Sequence, residues 1–394
     1  MEHLATRRAV WLCMFVFFIQ PVGLGIWLSR VAEVQYALGL SKADLALALV
    51  GMPVGLLPTL YVAGRVVDGI GPRKALLWAF PPMLAIGVLP GLAGGLSQLF
   101  MALVLFGAVV AFTEVALNVY AARVEKACDK SIMNRAHGFW SLGVMAGSFI
   151  GVQLVTVDLD AARSLAVGGL VLLPITMAVA FALPEINLTS SNDEAPAAKA
   201  PIPKTLYVIM LIVLGATLVE GAMIDWATVY MREVAQYVPG REGLAVTVFS
   251  GFVTVGRFAG DAINTRFGAT ILARMCIGSA IVGLAVLVFD LGPYPSFLGF
   301  ALVGLGVSTI FPLGVSASAA LSKTGEARNV SIMTFGALSG FLIGPPAIGF
   351  AAQATSLDRA FVLLFPGLII SFILARHLST RSASERRARL SSAS

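Results

Sequence analysis

The chain has 394 residues, of which 58% are hydrophobic and 12% charged, and its mean hydropathy is +0.89. Globular domains carry about 25% charged residues, so an ordinary soluble domain is excluded and the chain reads as a polytopic α-helical membrane protein. The net charge of +6 lies in short loops and tails, which points to membrane topology and away from nucleic acid as a partner.

Apolar windows near the ~20 residues needed to cross a bilayer recur along the chain. They predict twelve spans near 9–29, 43–63, 75–93, 98–121, 137–157, 163–183, 205–230, 243–262, 270–289, 295–319, 330–352 and 359–377. The first apolar run outlasts a signal peptide and lacks a small-residue cleavage site, so it reads as a span. Gln20, beside Pro21 at mid-depth, is an uncharged hydrogen-bonding candidate for a cavity, or the partner of a neighbouring backbone group. After the second span comes Gly64-Arg65-Val66-Val67-Asp68-Gly69-Ile70-Gly71-Pro72-Arg73-Lys74. Gly64 would permit close helix approach, and Asp68 would pair with a basic residue or cap a helix end. With Gly71 and Arg73 these residues form a candidate cytoplasmic gate; the alternative is a charged turn obeying the positive-inside rule.

Glu114 and Asn118 of the fourth span share one helical face. Glu114 is a candidate proton carrier, the alternative being a glutamate permanently paired with an arginine such as Arg257. His137-Gly138-Phe139-Trp140-Ser141, opening the fifth span, reads as an interfacial anchor, although His137 could titrate near neutral pH. Gly143, Gly147 and Gly151 follow at spacing four and read as close helix packing. Glu185–Lys204 is the long polar stretch of the chain and reads as a linker, with an incidental sequon at Asn187.

The seventh span carries two acids, Glu220 and Asp225. A charge at the middle of a bilayer costs from ~2.5 to more than 10 kcal/mol, so such acids mark function. Five residues along a helix is a rotation of about 140°, so both cannot face one ligand squarely. Glu220 is the cavity candidate. Asp225 with Trp226 and Tyr230 reads as the outer rim of the cavity, although Trp and Tyr also mark ordinary lipid interfaces. The loop after the eighth span, Gly256-Arg257…Asp261…Gly268, corresponds to the first gate loop, with Thr265 where Asp68 maps. Arg257 and Asp261 are therefore assigned to the gate. Gly336, Gly340, Gly344, Pro345 and Pro346 mark the eleventh span. The three cysteines are scattered, and no metal spacing, phosphate loop or nucleophile–base constellation is present, so neither an enzyme nor a cofactor is expected.

The N-terminus, even-to-odd loops and C-terminus hold 21 Lys and Arg, and the opposite loops hold six. This predicts both termini in the cytoplasm. A shift of 197 residues superimposes Gly71 on Gly268, Gly107 on Gly304, Gly143 on Gly340 and Gly147 on Gly344. The predicted organisation is a six-span half over 1–184, a linker over 185–204, a second half over 205–378 and a basic tail over 379–394. The acids are not duplicated: Glu114 maps to Phe311, Glu220 to Gly23 and Asp225 to Leu28.

The loop Gly64–Lys74 resembles the signature of the major facilitator superfamily, with Pro72 before the basic pair. Glu114–Asn118, His137–Gly143, Glu220–Trp226 and Gly344-Pro345-Pro346 resemble the fucose-permease-like group of that superfamily. The resemblance implies two six-helix pseudo-symmetric halves and, at Glu114, a functional glutamate of a proton–sugar symporter. That group's first-span acid has no counterpart between Trp11 and Ser29, which moves the coupling role to Glu220 or Asp225. The expectation is a monomeric secondary transporter of a bacterial inner membrane, importing a small polar solute such as a sugar with H+. An efflux antiporter for amphipathic compounds is the alternative, and a non-transporting receptor or scaffold the remote one.

Overall fold

The computed structural model describes residues 2–128, 132–186, 202–322 and 326–379, all helix and short connection. Most of the polar linker and nearly all of the basic tail lie outside the described residues. Twelve helices are long and apolar enough to cross a membrane: Arg7–Ala37, Lys42–Ile70, Pro72–Leu92, Leu96–Cys128, Met133–Val155, Ala161–Ala182, Lys204–Glu233, Leu244–Phe267, Ala269–Val288, Pro293–Ala319, Arg328–Ala354 and Leu357–Leu378, here spans 1 to 12. Several outrun the hydropathy windows. Span 1 carries Arg30 inside it, 1% exposed, where the sequence puts a loop residue.

Spans 1 and 10 are each interrupted beside a proline. Span 1 consists of Glu2–Ile19 and Val22–Ala37, with Pro21 unable to donate into the helix between them. Span 10 consists of Pro293–Val307 and Ile310–Ala319. Pro312 has no N–H for the carbonyl of Ser308, four residues earlier, and that carbonyl becomes available to another helix.

The halves repeat in detail. Gly71 and Gly268 both adopt φ 85, the left-handed region glycine tolerates, and each ends one helix and starts the next. A Cβ on Gly107 would strike the carbonyl of Met52, and a Cβ on Gly304 that of Phe249. Those carbonyls are themselves 197 positions apart, so spans 4 and 2 approach as spans 10 and 8 do. In span 5, Gly143 and Gly147 seat against the backbone of Phe18 and Val22, the close packing their spacing predicts.

The seam between the halves differs at its two ends. On the face of the 1–2 and 7–8 loops, Lys42 Nζ pairs with Glu233 Oε2 at 2.7 Å and Gln35 Nε2 donates to Glu233 Oε1 at 3.3 Å. There, too, the Lys42 backbone N–H donates to Gln353 Oε1 at 3.1 Å, and Ser148 Oγ donates to the Gly243 carbonyl at 2.8 Å. On the opposite face, Asn134 Nδ2 donates to Asp261 Oδ1 at 2.9 Å and Phe139 meets Phe258 edge-on. The end of span 2 on that face is uncovered. A Cβ on Gly64 would meet nothing within 4 Å, so the close approach expected there does not exist in this state. Asp68 is exposed and makes no hydrogen bond or ion pair with any described residue.

Candidate functional site

Arg257 is the centre of the polar interior. It rises from the middle of span 8 and ties four groups together. Its Nη2 lies 3.4 Å from Glu220 Oε1 of span 7, and both side chains are 13% exposed. Nη1 donates to Ser141 Oγ at 2.5 Å and to the His137 carbonyl at 3.1 Å, both on span 5 of the other half. Nε points at the Ser308 carbonyl, 3.5 Å away, the oxygen that Pro312 leaves without a helical donor. The arginine therefore belongs to the interior and not to the gate loop, and its partner is Glu220 rather than Glu114. Its reach explains the difference: a side chain of that length carries its charge about a helical turn from its own Cα.

A second polar node adjoins the first. Trp140, next to Ser141, donates its indole N–H to Gln20 Oε1 at 3.1 Å, and the Glu114 carboxyl neighbours the same indole. Gln20 donates in turn to Met83 Sδ at 3.7 Å and is buried. Spans 1, 4 and 5 thus converge on one indole, where Pro21 has interrupted the first helix. Asn118 shares the face of Glu114, but its Nδ2 donates to the Glu114 backbone carbonyl at 2.9 Å. A polar cavity of about 110 Å³ lies beneath Arg257, lined among others by His137, Asp261, Asn264, Ser308 and Thr309.

The outer rim expected at Trp226 and Tyr230 is not there. Both are fully buried. Tyr230 donates its hydroxyl to the Leu287 carbonyl at 2.6 Å and lies between Phe300 and Phe361 in the core of the second half. Trp226 packs against Gly349. Gly349 of span 11 leaves room for the Trp226 ring, and Tyr230 is enclosed by Phe300 of span 10 and Phe361 of span 12. Asp225, half-buried beside them, has no hydrogen bond or ion pair with a described residue. Of the gate residues, Arg73 pairs at 3.1 Å with Glu185, the first residue of the linker, and donates to the Phe181 carbonyl of its own half at 2.7 Å. Asp261 reaches across the seam to Asn134 as noted.

Sequence reasoning missed Trp140 and Ser141 as contacts between the nodes, because an aromatic near a span end carries the same signal as a lipid anchor. It also missed the Ser308 carbonyl, which proline four residues later could have flagged.

A family model of the Major Facilitator Superfamily matches residues 9–294. The chain is 30% identical over 366 residues to a Sinorhizobium fredii protein described as the uncharacterized transporter y4wD, covering 90% of this chain and 94% of that one. It is 27% identical to the membrane protein MosC of Rhizobium meliloti, covering 93% and 90% of the two chains. Among solved structures, the nucleoside transporter NupG superposes with a TM-score of 0.71 at 13% identity, covering 94% of this chain and 98% of that one. FucP in the outward conformation superposes with a TM-score of 0.63 at 17% identity over the same shares.

Proposed function

The chain belongs to the Major Facilitator Superfamily, a family of membrane transporters, and on that premise we propose that it is a proton-coupled symporter of a small polar solute working by alternating access. The single observation that carries the reading is the position of Arg257. It holds Glu220 of its own half while donating to Ser141 and the His137 carbonyl of the other, so the charge state of one acid is tied to the contact between halves. A proton on Glu220 removes the charge that faces Nη2, while the bonds to Ser141, His137 and Ser308 persist. Loading the site therefore changes the cross-half clamp without dissolving it. A buried carboxylate without full compensation resists occlusion, and neutralising it permits the halves to rock.

The charge count places the 2–3 loop face in the cytoplasm and the sealed 1–2 loop face outside. The unpartnered Asp68 and open Gly64 then belong to an inward-facing state, with the gate loop of span 2 disengaged. Glu114, Trp140 and Gln20 serve as hydrogen-bonding groups for solute, and Glu114 as a second proton position. The polar character of both nodes supports a hydroxyl-rich solute, and nothing observed favours the antiporter reading.

The test is uptake into proteoliposomes of labelled L-fucose and a labelled nucleoside, the classes named for the solved relatives, with and without an inward proton gradient. Uptake should be gradient-driven, and Glu220→Gln should abolish the dependence on the gradient while preserving solute exchange. Transport of either solute that ignores the gradient and is unchanged in both Glu114→Gln and Glu220→Gln would overturn the coupling assignment.

A further inference from the structure

Glu242 takes no part in the central site, yet it is among the most buried charged side chains described, at 4% exposed. It lies in the 7–8 loop, and that loop is seated on the other half. A Cβ on Gly243 would strike Ser29 of span 1 and Val152 of span 5, and one on Gly240, at φ +82, would strike Val155. Ser148 Oγ fastens the Gly243 carbonyl. Closing the outer seam thus pushes this carboxyl out of water and against the first half.

Its surroundings do not compensate it fully. Arg232 Nη1, from the end of span 7, stands 3.6 Å from Glu242 Oε1, beyond hydrogen-bond length, and that oxygen has no donor among the described residues. Arg232 is shared: its guanidinium also lies over the Tyr36 ring at 4.5 Å and points at the Ala32 carbonyl, 3.5 Å away on span 1. From span 1 the facing charges are Glu33, a like charge that repels an ionised Glu242, and Arg30. Arg30 is committed to Glu33 at 2.9 Å, to Ser164 at 2.6 Å and to the Leu159 carbonyl. From span 5 the neighbours Val152, Val155 and Ser148 bring no charge.

We propose that Glu242 is a further proton-binding site, separate from the central acids, and that its protonation from the outer side allows the seam between the halves to shut. In the open state the carboxyl faces water and ionises as an ordinary glutamate. In the sealed state burial pushes its pKa up, and the neighbouring Glu33 adds to that, while backbone N–H groups and Arg232 offset only part. The sealed form therefore binds the proton more tightly, and by linkage falling external pH favours the sealed seam. Between the two pKa values the sealed-to-open ratio changes by up to about tenfold per pH unit. The proton enters from and returns to the same side. It sets the gate and is not carried across.

The orientation proposed above is assumed, but the test needs no solute and no transport. Spin labels at Ala37→Cys and Val238→Cys, both exposed on the outer face, would report seam width in nanodiscs from pH 5 to pH 9, with Cys13, Cys128 and Cys276 replaced. The expected result is a long-distance population that grows as pH rises, with a midpoint above the range of an ordinary glutamate. Glu242→Gln should hold the short distance at every pH. A Glu242→Gln protein that keeps the wild-type profile overturns the proposal. Should that variant not fold, Glu33→Gln decides: its midpoint should move to more acidic pH, and an unmoved midpoint overturns the proposal. Failure of Glu114 or Glu220 as coupling residues would leave the distance measurement untouched, so the two readings fail separately.

Discussion

Arg257→Met tests the centre of the molecule. The substitution removes the cation facing Glu220 at 3.4 Å, the contact with the Ser308 carbonyl at 3.5 Å, and both contacts with span 5. Breaking a buried ion pair by deleting one partner costs about 3–5 kcal/mol, because a buried charge is left alone. With both side chains 13% exposed and an N···O distance at the long end, the lower part of that range applies, about 3–4 kcal/mol. Glu220→Gln keeps the shape and an acceptor for Nη2 and loses only the charge, so about 1–2 kcal/mol is expected. In the double variant no lone carboxylate remains, and the loss should fall short of the sum of the singles by about 2 kcal/mol. The assay is SDS-titrated unfolding in mixed micelles, with all four proteins compared at one pH. Additivity within about 0.5 kcal/mol would refute the reasoning, since independent sites behave that way and a pair in contact does not.

Two glycines of the first half should respond in opposite ways. Gly147→Ala places a methyl on the Val22 carbonyl, and with backbone on both sides it should cost about 1–3 kcal/mol and reduce the yield of folded protein. Gly64→Ala meets nothing within 4 Å, and in the helix it should be neutral or stabilise by up to about 1 kcal/mol. Tyr230→Phe deletes a 2.6 Å bond to the Leu287 carbonyl, so it should lower stability by about 1 kcal/mol in the same unfolding assay; because the ring lies in the core, the transport KM should not move. Lys42→Met breaks a pair whose members are 24% and 33% exposed, so stability should change by less than about 1 kcal/mol. Its effect should appear instead in the spin-label distances as a larger open population.

The sequence by itself determined the lattice of the fold. Twelve spans follow from apolar length, because a lipid interior admits only helices long enough to satisfy their own backbone across ~30 Å. The repeat is equally legible, since Gly71 and Gly268 need the same positive φ, and Gly107 and Gly304 the same room against a carbonyl. Rarity of charge inside a span also picked out Glu114, Glu220 and Asp225 without any coordinates. Only the tertiary structure decided which charge meets which. Glu220 and Arg257 are 37 positions apart, and Arg257 and Ser141 are 116 apart, so their meeting depends on helix rotation and on how the halves lie. The same rotation buries Trp226 and Tyr230 where the sequence suggests a rim, because the space left by Gly349 cannot be read from span 7. Glu242 carried no signal at all, since an acid in a short loop looks solvated until the opposing half is packed over it.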